Sequence, residues 1–225
     1  MVGRWRVTQG ALAGGITPVI LIRHGETTWN RAGRLQGQTD SPLSDLGRAQ
    51  AEATGKLLSA ESIDTILSSD LGRTRDTATA IAKATGATVR LDARLRERSY
   101  GELEGHTWTE VEQKFPEAWR RMNAREPDFV PSQGESPRAF FDRVVSVLTE
   151  LARAHEGRRI VIVTHGGVVG MLYRHVMHIA LDERRDYSLF NASINRFRYV
   201  ELRWFLDVWG DVSHLEELRP PTGET

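Results

Sequence analysis

The chain contains no cysteine in its 225 residues, which excludes a disulfide framework and any thiolate metal site. It has no excess of charge: thirty Lys and Arg stand against thirty Asp and Glu. Nothing electrostatic therefore points to nucleic acid or an anionic membrane as a partner. Apolar runs are short, and none approaches the roughly 20 residues that a membrane helix needs. Near the N-terminus, Ala11-Leu12-Ala13 superficially resembles a signal-peptidase site, but no long apolar stretch precedes it. The phosphate-loop Lys-Ser/Thr signature and the dinucleotide glycine fingerprint are also missing. These absences predict a cytoplasmic protein that begins with a loose, non-catalytic extension over residues 1–16.

The patterning that remains is alternating. Val19-Ile20-Leu21-Ile22 reads as a buried strand. Ser44 caps a predicted helix bearing Leu46, Ala49, Ala53, Leu57 and Leu58, followed by a short strand at 65–68. Ser69 or Asp70 is the expected cap of a helix through Thr74, Ala78, Ile81 and Ala82, ended by Gly86. A third strand is expected at 89–91, then short helices at 108–115 and after Pro116. Ser136-Pro137 starts a helix with Phe140, Val144, Val147, Leu148 and Leu151 on one face. A strand runs into Thr164, a helix follows from 167 to about 178, and β-rich stretches lie at 194–201 and 204–209. This order predicts an α/β fold, a mostly parallel central sheet flanked by helices on both faces.

Two strand ends carry the chemistry. Arg23-His24-Gly25 follows the first strand, and Thr164-His165-Gly166-Gly167 follows the late one. Histidines at the carboxyl edge of parallel strands stand where α/β sheets place their sites. A neutral imidazole is a competent nucleophile toward phosphorus when cations hold the phosphoryl oxygens. Arginine suits that task through its planar, bidentate donors. Gly25 and Gly166, lacking a Cβ, are expected to let backbone approach the phosphate. An alkoxide leaving group also requires a nearby protonated carboxylic acid.

The sequence resembles the histidine phosphatase superfamily, the phosphoglycerate mutase-like proteins, from about Pro18 to Trp209. The resemblance rests on Leu21-Ile22-Arg23-His24-Gly25-Glu26-Thr27, Trp29-Asn30, Arg34-Leu35-Gln36-Gly37, Asp40-Ser41-Pro42-Leu43-Ser44 with Gly47 and Gln50, Ser68-Ser69-Asp70-Leu71-Gly72-Arg73-Thr74, Leu95-Arg96-Glu97, Gly101, Glu104-Gly105, and Thr164-His165-Gly166-Gly167. It implies that His24 becomes the phosphohistidine, and that Arg23, Arg73 and a cationic His165 clamp the phosphate. It further implies that Asn30, Gln36, Gly37 and Gly166 line the pocket and that Glu97 is the general acid and base. Arg75 rivals Arg73, and Glu102 and Glu104 rival Glu97. Glu26, next to the phosphate grip, is expected to orient arginine or backbone, and the Glu97 pKa is expected to rise. The implied organisation is one domain over 17–214, with a cap insertion about 99–135 and a tail over 215–225.

Within this family the interval between Glu97 and His165 looks like the phosphatase branch, since it lacks the proline run of mutases. The expected activity is therefore phosphomonoester hydrolysis on a small molecule, without cofactor or metal, by a monomer or homodimer. Trp119-Arg120-Arg121 pulls toward the alternative, a phosphoglycerate mutase primed by 2,3-bisphosphoglycerate, because it resembles a basic element that grips a substrate carboxylate. A non-catalytic binding protein on the same fold would have lost one of His24, Arg73, Glu97 or His165, and all are present. His175 and His178 share a helix face, but no third ligand joins them. Residues 99–135 and 186–195 are expected to cap the pocket.

Overall fold

The computed structural model describes residues 15–218. Strand β1 (Ile16–Arg23) leads through the single turn α1 (Thr28–Arg31) to α2 (Asp45–Leu58), β2 (Thr65–Ser68), α3 (Gly72–Thr85) and β3 (Val89–Leu91). Two short helices, α4 (Trp108–Lys114) and α5 (Pro116–Asn123), precede the long α6 (Pro137–Ala154). The chain then forms β4 (Ile160–Thr164), α7 (Gly166–Met177), β5 (Ile194–Val200) and β6 (Arg203–Asp211). The sheet order is β3-β2-β4-β1-β5-β6. β1 to β4 run parallel, while β5 and β6 add an antiparallel pair at one edge.

The two-residue period of the central strands divides the core into two layers. Val19, Leu21, Ile160 and Ile162 face α6 and α7, packing with Phe140, Val144, Leu148 and Val168. Ile20, Ile22, Val161 and Val163 face the other way, toward Leu58, Ala78 and Ile81 of α2 and α3. All of these are almost completely buried, and each such side chain contributes roughly 1.5–3 kcal/mol of transfer free energy. Helices on both faces thus follow from strands that are apolar on both sides.

The α6 face read from the sequence is the buried one. The α2 face is not: Leu46, Ala49 and Ala53 are only half-buried and Leu57 is exposed, while Gly47, Ala51, Thr54, Gly55 and Leu58 turn inward. Small residues win here because α2 packs backbone-close. A Cβ on Gly47 would stand 1.9 Å from the Glu26 carbonyl oxygen, and one on Gly55 3.0 Å from that of Ala80. The cap of α3 also differs from expectation, for Leu71 holds the N-cap position with no side-chain bond. Asp70 is engaged by Arg96 at 2.6 and 2.7 Å, and Ser69 Oγ lies 2.9 Å from His165 Nε2. Asp40, from the loop between α1 and α2, takes over and accepts from Gly72 N.

At the termini, Ile16 already pairs with Val200 in the sheet, whereas residues 1–14 of the expected extension lie outside the described residues. The expected tail after His214 is folded as far as Leu218. Ser213–Leu218 form a 3-10 helix whose Leu215 is buried, because it packs on α2. Residues 219–225 lie outside the described residues. Leu103 and Val111, between β3 and α6, build a small separate core with Leu35 from the α1–α2 loop and with Tyr100, Phe115 and Trp119. Among the described residues no helix is long and apolar enough to cross a membrane.

Candidate active site

Parallel pairing brings the two ends of the sequence together. Arg23 stands opposite Thr164 in the register, and His24 N donates to Thr164 O at 2.9 Å. The next side chains, His24 and His165, therefore emerge side by side at the carboxyl edge of β1 and β4. Their ring centroids are 5.4 Å apart at an interplanar angle of 65°. Both are buried, at 3 % and 0 % exposure.

The hydrogen bonds decide which nitrogen of His24 bears the lone pair. His24 Nδ1 lies 2.7 Å from Gly25 O, and a carbonyl only accepts, so Nδ1 carries the proton. The lone pair is left on Nε2. Burial first, then the Arg73 and Arg23 charges, hold the His24 pKa well below 6.5. The imidazole is therefore neutral, the form a nucleophile requires. Burial first, then the Arg73 charge, depresses His165 in the same way. The cationic His165 expected from the resemblance is thus not the state of the free site. A bound phosphate dianion would reverse the balance by favouring the charged form.

Two guanidiniums flank the rings. Arg73, 1 % exposed, donates to Gly37 O at 2.6 Å, to Thr39 O at 2.9 Å and to Asp40 Oδ1 at 3.2 Å. Arg23 donates to Leu189 O, and burial lowers its pKa to about 10. The buried atoms Arg23 Nε, Arg73 Nε and His165 Nδ1 have no partner within the protein. Buried polar nitrogens left unpaired are costly unless another group completes them. Here they surround the two histidines, and a tetrahedral oxyanion offers the acceptors they need. The N-terminus of α7, which begins at Gly166, adds its dipole at the same edge.

Glu97 joins this group. Its Oε2 accepts from Gly167 N at 2.8 Å and its Oε1 from Arg98 N at 2.8 Å, and its charge acts on both Arg23 and Arg73. The rival Glu104 is committed elsewhere, accepting from Gln38 N, Thr39 N, Thr39 Oγ1 and Tyr100 N at 2.6–3.0 Å. Glu102 is exposed. The other rival, Arg75, is exposed as well, whereas Arg73 is buried. Glu26 holds an arginine, as expected, but that arginine is Arg31 at 3.4 Å, and its carboxylate also receives Ser44 Oγ at 2.6 Å.

Asn30 and Gln36 meet at Thr27, whose hydroxyl lies 3.1 Å from Asn30 Oδ1 and 3.0 Å from Gln36 Oε1. Gly37 contributes its carbonyl to Arg73 and adopts a left-handed φ of 54°. Gly166 sits against Arg23, where a Cβ would come within 3.3 Å of Nε. Gly25 has a different reason from the one expected. A Cβ there would stand 2.3 Å from Gly47 O, so it is the start of α2 that requires glycine.

Sequence reasoning missed several residues here. Asn191 Nδ2 donates to His24 O at 3.0 Å and to Asn30 Oδ1 at 3.2 Å, and Ala192 N donates to Arg23 O at 3.0 Å. The segment 186–195, expected as a cap, instead brackets the backbone of Arg23 and His24, and its end belongs to β5. Thr77, on α3, receives Gly25 N at 3.1 Å. Only Ser69 and Asp40 had a signal, as unexplained members of the matching strings. Arg120 and Arg121 are tied to Glu117 at 2.8 Å and Glu126 at 2.6 Å, so neither stands as a free anion grip. Trp108 and Trp119 line a cavity of about 570 Å³ with Arg98, Tyr100, Met122 and Phe129.

A family model describing the histidine phosphatase superfamily (branch 1) matches residues 19–212. The chain belongs to the histidine phosphatase superfamily. Among its curated relatives, a metal-independent phosphoserine phosphatase of Arabidopsis thaliana is 38 % identical over 206 residues, covering 90 % of this chain and 85 % of the relative. A phosphoglycerate mutase-like protein of the same plant is 40 % identical over 203 residues, covering 88 % and 87 %. Among solved structures, a mycobacterial glucosyl-3-phosphoglycerate phosphatase in complex with VO3 superposes with a TM-score of 0.75 at 33 % identity, covering 86 % of this chain and 98 % of that one. At its carboxyl edge the sheet thus presents two buried imidazoles beside the buried Arg73 and the half-buried Arg23. His175 and His178 gain no third partner: among the described residues no three His, Asp or Glu side chains gather as a metal-holding group.

Proposed function

We propose that this histidine phosphatase hydrolyses small phosphomonoesters through a phosphohistidine on His24. Nε2 of His24 attacks phosphorus while Arg23, Arg73 and His165 take the phosphoryl oxygens. As the P–O ester bond breaks, the Glu97 carboxyl gives its proton to the leaving alkoxide. Water then attacks phosphorus, forming a new P–O bond as the P–Nε2 bond breaks; Glu97 takes that water's proton, and inorganic phosphate leaves with free His24 restored. The scheme uses no metal or cofactor, in keeping with the description metal-independent carried by the Arabidopsis phosphoserine phosphatase. Asn30, Gln36, Gly37 and Gly166 shape the phosphate end of the pocket.

The observation that carries this reading is the meeting of His24 and His165 at 5.4 Å, with unpaired arginine nitrogens beside them. Hydrolysis is favoured over mutase chemistry because Arg120 and Arg121 are already neutralised by glutamates. The phosphatase names of two relatives support the same choice. The test is rapid acid-free quenching with a labelled phosphomonoester. His24→Ala is expected to lose the acid-labile, base-stable phosphoprotein, and label persisting in that variant refutes the nucleophile. Glu97→Gln is expected to bind substrate but lose about 10²–10⁴ in turnover, and near-normal turnover rejects Glu97 as the acid.

A further inference from the structure

The scheme above needs one carboxyl, that of Glu97, to give a proton to the leaving oxygen and then to take one from water. Both transfers require hydrogen-bond reach, so the aim of that carboxyl matters. Yet Glu97 stands on irregular backbone between two 3-10 turns, Ala93–Leu95 and Gly101–Leu103. What fastens this segment comes from the first turns of α6. The Arg143 guanidinium donates to Arg94 O at 2.7 Å, to Arg96 O at 2.9 Å and to Glu97 O at 3.3 Å.

Arg143 is itself held. It pairs bidentately with Glu135, Nε to Oε1 at 2.9 Å and Nη2 to Oε2 at 2.8 Å. The two side chains are only 24 % and 18 % exposed, so salt and water screen the pair less than they would a surface pair. Glu135 also works through its backbone, since its N donates to Ser99 O at 2.9 Å and its O accepts from Arg98 Nε at 2.7 Å. Arg143 and Glu135 therefore bond the chain on both sides of Glu97. A guanidinium has five N–H donors, and these contacts use them all: one at Nε, two at Nη1 and two at Nη2. None is left for a phosphate oxygen, which separates Arg143 from Arg23 and Arg73. The same helix also meets the carboxyl itself. A Cβ on Gly167 would stand 2.0 Å from Glu97 Oε1 and 2.9 Å from Phe140 Cε1, and Phe140 lies one turn before Arg143.

We infer that Arg143, braced by Glu135, is the positioning residue of the general acid and base: it aims Glu97 and touches neither substrate nor phosphate. The inference rests on the role given to Glu97 above and adds what holds that residue in place. Lysine, with three donors around a single point, cannot span the three carbonyls and the carboxylate together. A reacting group displaced by about 1 Å costs up to about 10²-fold in rate, and that loss belongs to proton transfer, not to substrate capture.

The experiment compares two esters that differ in their need for a proton. Phosphoethanolamine leaves as an alkoxide and needs the acid, whereas dinitrophenyl phosphate leaves as a stable phenolate and does not. Arg143→Met keeps an apolar chain of similar length beside Phe140 and removes every donor. It is expected to lower kcat for phosphoethanolamine about ten- to hundred-fold with KM little changed. Phosphohistidine formation from dinitrophenyl phosphate, followed by rapid quenching, is expected to stay near the wild-type rate. In a Glu97→Gln background the same substitution should add less than about a twofold loss, because the group it aims is already disabled. Arg143→Lys should recover only part of the lost kcat. Equal slowing of both esters, or losses that multiply in the double variant, overturns the inference and makes Arg143 a structural residue; so does an unchanged kcat in Arg143→Met. Should Arg143→Met fail to fold, Glu135→Gln is read with the same esters. It weakens only the bracing pair, so a smaller loss, about two- to tenfold, should fall on phosphoethanolamine alone, and equal or absent losses refute the inference again. Failure of the Glu97 assignment itself is told apart, because it appears as normal turnover in Glu97→Gln.

Discussion

Asp40 ties the fold to the site, and its removal makes a quantitative test. Its carboxylate takes the place of the missing cap of α3, receiving Gly72 N, and is also the ion-pair partner of Arg73. Losing a helix cap costs about 1 kcal/mol. Losing a charge-assisted hydrogen bond costs about 1.5–3 kcal/mol. Arg73 is 1 % exposed but Asp40 is 44 % exposed, so solvent screens the pair and the lower end applies. Gly37 O and Thr39 O remain on Arg73, which limits the loss further. The sum for Asp40→Ala is about 2–3 kcal/mol, or roughly 4–10 °C in melting temperature for a domain of this size. Asp40→Asn keeps an oxygen for Gly72 N but not the charge, so it should lose only about half as much. The measurement is thermal unfolding followed by circular dichroism, with and without inorganic phosphate. Phosphate should stabilise both variants less than the wild type, because Arg73 is less firmly aimed. If Asp40→Ala melts within 1 °C of the wild type, the cap and counter-ion role assigned to Asp40 is wrong.

Two further outcomes follow from the same geometry. His24 and His165 are both held below their usual 6.5 in the folded protein, so the unfolded chain takes up protons that the folded site refuses. Stability should be complete above about pH 6.5 and decline as pH falls, by up to about 1.4 kcal/mol per pH unit for each imidazole. Urea titrations across that range should show the slope, and His165→Asn should flatten it; an unchanged slope removes His165 as a contributor. Gly25→Ala would push a methyl into Gly47 O at 2.3 Å, contact with backbone that cannot rotate away. It should cost about 1–3 kcal/mol, seen as a lower urea midpoint, and an unchanged midpoint would show that the β1–α2 junction yields easily.

The sequence by itself determined the layered sheet, because runs such as Val19 to Ile22 and Ile160 to Val163 are apolar on both faces and can be buried only between helices. It also pointed to His24, Arg23, Glu97 and His165, since their neighbours in the chain are distinctive. The face of α2 was not legible, because its packing is set by how closely two backbones approach, and Gly47 and Gly55 carry no hydrophobic signal. Nor was the cap of α3, where the nearest candidates, Ser69 and Asp70, are drawn away by His165 and Arg96. The neutral state of His165 and the bracket of Leu189, Asn191 and Ala192 were decided only by the tertiary structure. Both depend on groups distant in sequence that the β1–β4–β5 register brings within a few ångströms. Burial and mutual charge then fix the protonation state there, and no local pattern encodes that.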